Sequence, residues 1–151
     1  MDAAMPTFKP RTYTYTTGLE WKEDRAGMLQ AEGKPPFRVA SPPEFKGEPG
    51  TWTPEDLFVA AVETCTMTTF LALAARGGLP LVAHSSSAQG LLERSDEGFR
   101  FTHVVVQPRV TVSSVANVPR ALELLKDAHD ACLITNSIKA TVELRPEVQS
   151  R

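Results

Sequence analysis

Thr53-Pro54-Glu55-Asp56 opens a helix, Gly77-Gly78 followed by Pro80 closes it, and the residues in between limit the possible folds of this chain more than any others. Threonine at the N-cap, proline at the first helical position and two carboxylates facing the positive end of the helix dipole make a strong start. The glycine pair supplies a left-handed cap, and the proline cannot continue the helix. From Leu57 to Ala75 apolar residues occupy nearly every face, interrupted by Glu63 and a band of Thr64, Thr66, Thr68 and Thr69. A helix from Pro54 to about Arg76 with no solvated side is expected to be central and buried. One chain of 151 residues with a short N-terminal sheet can hardly cover it alone. An obligate homodimer is therefore expected, the second subunit supplying the missing cover.

The rest of the sequence reads as a single α+β domain over residues 1–151. Residues 11–17, Arg-Thr-Tyr-Thr-Tyr-Thr-Thr, alternate and are rich in β-branched and aromatic side chains, which predicts a strand continued weakly through Leu19 and Trp21. A turn at Lys22 to Arg25, short strands at Ala26 to Ala31 and Phe37 to Ala40, and a turn from Gly33 to Pro36 complete a meander. Six of the twelve prolines fall between Pro35 and Pro54, so Ser41 to Gly50 can be neither helix nor central strand. Ordering such a loop costs entropy that packing or a site must offset, and it is expected to wall the site. After the helix come two long strands, about Leu81 to Glu93 and Phe99 to Ser113, joined by a polar turn at Ser95 to Gly98. Asn117 is expected to cap a second helix, Val118 to about Ala131, with Leu122 and Leu125 on its packed side. Ile138 to Leu144 is the expected last strand.

Charge and leader patterns exclude several partners. Lys+Arg number 16 and Asp+Glu 18, a formal charge of -2 with the signs well mixed, so no basic face is available for a nucleic acid backbone. Met1 to Pro10 lacks the basic-then-apolar run of a secretory signal, and no run of 18 residues is free of charge, so no membrane partner is expected and a cytoplasmic location is. In a reducing cytosol a permanent bridge between Cys65 and Cys132 is not expected.

The two cysteines are the chemistry on offer. The sequence has no glycine-rich phosphate loop, nucleophile-elbow serine or metal-binding carboxylate cluster, so neither cofactor nor metal is expected. Cys65 and Cys132 lie 67 positions apart, which excludes a local CxxC motif and leaves a pair that only the fold can bring together. Read singly, each is as well explained as a core thiol among small residues. Glu55 lies ten residues before Cys65, about 15 Å away along a straight helix and out of reach of that thiol in its own chain. It either pairs with the helix dipole or acts on Cys65 across a dimer interface or through a bridging arginine. Glu63, inside the apolar stretch, is costly unless paired and marks either an interface ion pair or an exposed seam. His84, His103 and His129 are scattered. A zinc site from His129, Cys132, Cys65 and a fourth ligand lacks paired-ligand spacing, and His129 reads as a surface or capping residue.

Thr53-Pro-Glu-Asp-Leu-Phe-Val-Ala-Ala-Val-Glu-Thr-Cys65 resembles the signature of the OsmC/Ohr family, in which an Asn- or Thr-Pro-Glu helix start precedes a reactive cysteine by ten residues. Ser41-Pro-Pro-Glu-Phe-Lys-Gly47 is similar to the loop before it, and Cys132-Leu-Ile-Thr-Asn-Ser137 to the second-cysteine motif, usually Cys-Pro-x-Ser-Asn. The resemblance spans about residues 12–144. It implies an α+β fold in which antiparallel sheets pack on long central helices in an intertwined homodimer. It also implies thiol peroxidase chemistry: the Cys65 thiolate attacks the O–O bond of an organic hydroperoxide, and Cys132 condenses with the resulting sulfenic acid to a disulfide that an external dithiol, lipoyl or thioredoxin-like, reduces. Mid-helix burial raises a thiol's pKa, so the site needs a cation held by a carboxylate. The family gives those roles to an arginine and to the glutamate matching Glu55. Arg25, in the turn after the first strand, is the arginine assigned, with Arg38 a second candidate.

Two functions of different class follow. A peroxidase for organic hydroperoxides would use an apolar site lined by Phe45, Phe58, Met67 and Phe70, suited to an alkyl or fatty-acyl tail. A non-peroxidatic relative would use the same interfacial pocket to bind a small apolar or thiol-bearing ligand. The position of the arginine discriminates them.

Overall fold

Helix α1 runs Pro54–Arg76, as its start and stop signals require. At its end Gly78 adopts φ 65°, Leu79 N–H donates to Ala74 O at 2.9 Å and Gly78 N–H to Ala75 O at 3.2 Å. These are the two backward bonds of a left-handed glycine cap. Along the helix Val62, Thr66, Phe70 and Ala74 are buried, one position per turn. Ala61, Thr64, Thr68, Leu71, Ala72 and Ala75 are exposed. One copy of the chain thus buries a single stripe of a helix that the sequence makes apolar nearly all round. By length and composition α1 could cross a membrane, but its buried stripe packs on a sheet, described below.

The structure is a computed structural model describing residues 11–151, in two compact units, one ending at Pro54 and one spanning Glu55–Arg151. The reading of residues 1–10 concerns sequence outside the described residues. In the first unit β1 (Gly18–Glu23), β2 (Ala26–Gln30) and β3 (Phe37–Ala40) form the expected antiparallel meander. Residues 11–17, expected as a strand, are not one. β1 begins at Gly18, which pairs with Gln30, the last residue of β2. Beyond it no strand of the meander remains to pair with, and alternation without a partner makes no sheet. Residues 41–50 are irregular apart from a 3-10 turn at Pro43–Phe45, closed by Gly47 N–H to Pro42 O at 2.9 Å and Glu48 N–H to Ser41 O at 3.2 Å.

The second unit is built on a long hairpin, β4 (Leu81–Ser95) and β5 (Gly98–Val112), with α2 (Val118–Ala131) following. β6 (Thr141–Leu144) is shorter than expected, and β7 (Glu147–Ser150) was not foreseen. Both lie parallel to β5, so this sheet is mixed. Pro146 separates them because it has no N–H to give the ladder. Val104, Val106, Val110 and Val112 point inward from β5, the first pair packing with Val62 and the second with Phe70, Ala74, Leu124 and Leu125. At Gly90 of β4 an added Cβ would lie 2.6 Å from Val59 Cγ2 and 2.9 Å from the Phe101 ring, so only glycine lets α1 come this close to the sheet.

Two expectations about α2 are corrected. Its buried residues are Ala121, Leu124, Leu125 and Ala128, while Leu122 is 39% exposed. The alanines let the helix sit close on that side, and Leu122 is turned away from it. Asn117 makes no side-chain cap, because as the last residue of a 3-10 turn it already has helical angles, φ -87° and ψ -9°. Ser114 caps the 3-10 turn Val115–Asn117 that leads into α2, its hydroxyl accepting from Ala116 N–H at 3.3 Å. Phe70→Ala is expected to cost about 3–5 kcal/mol in urea unfolding and Leu122→Ala less than about 1 kcal/mol. Equal losses would contradict this packing.

Candidate functional site

Cys65 lies at one margin of the buried stripe of α1, one position before Thr66, and is half-buried. Its Sγ is 3.9 Å from Thr69 Oγ1, one turn on. Cys132 follows the last residue of α2, is fully buried, and leaves the helix in an extended conformation, φ -63° and ψ 111°. The fold brings the two near one another, the Cys65 side chain being among the neighbours that act on the Cys132 thiol, and both are free thiols. Thr135 N–H donates to the same sulfur at 3.5 Å. Burial pushes the Cys132 thiol up, but the Thr135 hydroxyl and N–H, the Cys65 thiol and the Ile134 N–H together carry it below its ordinary value.

Glu63 is not an open seam, and among the described residues of this one chain it makes no ion pair. It is half-buried and accepts a hydrogen bond from Ser86 Oγ of β4 at 2.5 Å. Two residues along a helix turn it about 200° from Cys65, so it does not face the thiol. His84 stands beside it, its ring 5.9 Å from that of Phe70. Burial holds His84 below the usual histidine range, against the upward pull of the Glu63 carboxylate. Of the aromatic residues expected to line a site, Phe70 is wholly buried in the core instead, and Phe58 stacks on Phe101 at 4.5 Å. Among the described residues no cluster of three or more His, Cys, Asp or Glu could hold a metal ion.

The candidate charged residues are placed as follows. Glu55 is in the first turn of α1, and because the helix is continuous it stands about 15 Å along the axis from Cys65. Its Oε2 is buried and has no hydrogen-bond partner among the described residues. Arg38 is committed: its Nε and Nη2 donate to Glu48 at 2.6 and 3.1 Å, and Nη2 reaches Glu23 at 3.3 Å. Arg25 lies exposed in the turn between β1 and β2 and donates to the Phe45 carbonyl at 3.0 Å. Both arginines belong to the first unit, and no cation hydrogen-bonds Cys65 among the described residues of the second.

The contacts of Thr135 and Ser86 escape sequence reasoning. Thr135 is legible as a partner of Cys132 only once α2 is known to stop at Ala131, because only there does the chain turn its N–H back to the sulfur. With the two thiols near one another, diamide is expected to convert the reduced protein to a disulfide within one chain, seen as the loss of two hydrogens in intact mass, and not to do so in Cys132→Ser. Persistence of both thiols would contradict that proximity.

The OsmC-like protein family matches residues 47–147, a span that holds Glu55, Cys65 and Cys132. Uncharacterized protein YmaD of Bacillus subtilis (strain 168) is 28% identical over 113 residues, covering 72% of this chain and 75% of its own. Among solved structures, an OsmC-like protein of unknown function from Vibrio cholerae superposes with a TM-score of 0.81 at 23% identity, covering 89% of this chain and 99% of that one. An organic hydroperoxide resistance protein OsmC from Legionella pneumophila superposes with a TM-score of 0.72 at 24% identity, covering 93% and 99%. These structures are alike in fold, with an α+β arrangement of sheets and helices. With the family match running through both cysteine motifs, the chain belongs to the OsmC-like family.

Proposed function

We propose that the protein is a thiol peroxidase for organic hydroperoxides, working as a cytoplasmic homodimer with Cys65 as the attacking and Cys132 as the resolving thiol. The observation that carries this reading is the pair itself: a half-buried cysteine in the middle of α1 beside a fully buried one at the end of α2. The Cys65 thiolate attacks the outer oxygen of R–O–OH, the O–O bond breaks, Cys65 becomes a sulfenic acid, and the alkoxide takes a proton to leave as the alcohol. The Cys132 thiolate then attacks the Cys65 sulfur, forming the disulfide and releasing hydroxide, which protonates to water. An external dithiol, lipoyl or thioredoxin-like, restores both thiols by exchange.

Arg25 and Glu55 take the roles that the family resemblance gives them, the cation for the Cys65 thiolate and the carboxylate that holds that cation. Two observations support the choice. The charge of Arg38 is already neutralised by Glu48 and Glu23, and the buried, unpartnered Glu55 Oε2 suits a guanidinium donor. A second copy is invoked because one chain leaves Ala61, Leu71, Ala72 and Ala75 of α1 exposed, an apolar face that a partner would cover. The Legionella pneumophila protein of like fold, an organic hydroperoxide resistance protein, points to the same substrate class.

Reduced protein treated with one equivalent of cumene hydroperoxide is expected to form the Cys65–Cys132 disulfide rapidly, faster than with hydrogen peroxide, and Cys65→Ser is expected not to. Arg25→Ala is expected to slow Cys65 oxidation by about 10–100-fold, and Arg38→Ala by less than about threefold. Unmodified thiols after minutes of exposure would overturn the peroxidase and favour the relative that binds a small apolar or thiol-bearing ligand.

A further inference from the structure

The turn after α2 contains a buried hydroxyl that makes no directed hydrogen bond while Cys132 is a thiol, yet stands near enough to pull that thiol down. Thr135 Oγ1 is buried and has no properly directed hydrogen-bond partner among the described residues. A buried donor left in that state costs free energy, so its retention needs a reason. The turn does not supply one, because it is held by other groups. Asn136 N–H donates to Cys132 O at 3.0 Å, Asn136 Nδ2 to Asp130 O at 3.1 Å, and Ser137 Oγ to Leu133 O at 2.6 Å. These bonds fix the Thr135 backbone so that its N–H points at Cys132 Sγ from 3.5 Å. A thiol sulfur is a weak acceptor and a thiolate a strong one.

We propose that Thr135 is a positioning residue for the resolving step: its hydroxyl, unpaired against the thiol, closes on Cys132 Sγ when the thiolate forms and, with its own N–H, holds that sulfur aimed at Cys65. This rests on the two-cysteine reading above. As the Cys132 thiolate attacks the Cys65 sulfenic acid, the S–S bond forms, the S–O bond breaks, and hydroxide leaves to become water. Thr135 keeps its proton throughout and gives up only a hydrogen bond. The groups that bear on Cys132 are neutral: Cys65 from α1, and Thr135 and Ile134 from the turn, whose donors outweigh the cost of burial. The thiolate is thus held by directed donors, the kind of support one side chain can remove.

The test is a thiolate titration at 240 nm in the Cys65→Ser background, which leaves Cys132 as the one thiol and a hydroxyl donor in place of Cys65. Adding Thr135→Val is expected to raise the titration midpoint by about one pH unit, and Thr135→Ser to return it to its starting value. In the two-cysteine protein the same Val substitution is expected to lengthen the life of the Cys65 sulfenic acid, trapped with dimedone, by about tenfold at neutral pH. Should the valine variant not fold, Thr135→Ala reads the same titration. An unmoved midpoint in Val or Ala, or a serine that does not restore it, overturns the role of Thr135. A midpoint that moves in a protein that never forms a sulfenic acid overturns the peroxidase and leaves Thr135 as the donor to the thiolate.

Discussion

A stripe of one residue per turn, Val62, Thr66, Phe70 and Ala74, seats α1 on the β4–β5 hairpin, and the position of every chemical group in the second unit depends on that contact. Thr66 can sit in it because its hydroxyl donates back to Val62 O at 2.9 Å, leaving no buried donor unpaired. Gly90 lets the helix come down onto the sheet. With the stripe in place, Cys65 falls on its margin, half-buried and near Cys132. Glu63 falls on the opposite margin, where Ser86 of β4 receives it.

The same seating leaves the remaining sides of α1 without cover in one chain. Leu71 is 38% exposed, and the alanines and threonines around it allow a close approach by another helix. The proposed second copy meets this need and gives Glu55 a route to a thiol other than the one ten residues along its own helix. Stabilisation of sulfur charge then divides between two kinds of group. Cys132 has short-range neutral donors supplied by its own turn. Cys65 is assigned a guanidinium, which acts over a longer range and can come from a separate element.

What could be read in the sequence follows the range of the interaction that decides each feature. Both ends of α1 are local: a Thr-Pro-Glu-Asp start and a Gly-Gly stop act within one turn, and they fall where read. The helix of residues Val118–Ala131 and the long hairpin are equally local in their signals. Residues 11–17 have every local mark of a strand and lack a partner, a property of β2's length and not of their own composition. β7 was hidden behind Pro146, which breaks the pattern without ending the sheet. The cysteines are 67 positions apart, so no periodicity could pair them. The resemblance in their flanking motifs suggests the pairing, and the fold brings the two side chains near one another. Glu63's partner and Thr135's role were invisible for the same reason: each depends on where a distant or terminated element places one hydroxyl or one N–H.

Sedimentation equilibrium of the reduced protein tests most directly whether a second copy covers α1. A mass of two chains at micromolar concentration, with Leu71→Glu converting it to single chains of lower helical content, is the predicted result. A wild-type protein that sediments as one chain and keeps its full helical signal would contradict it, since an apolar helix could then stand half-covered in water without a partner.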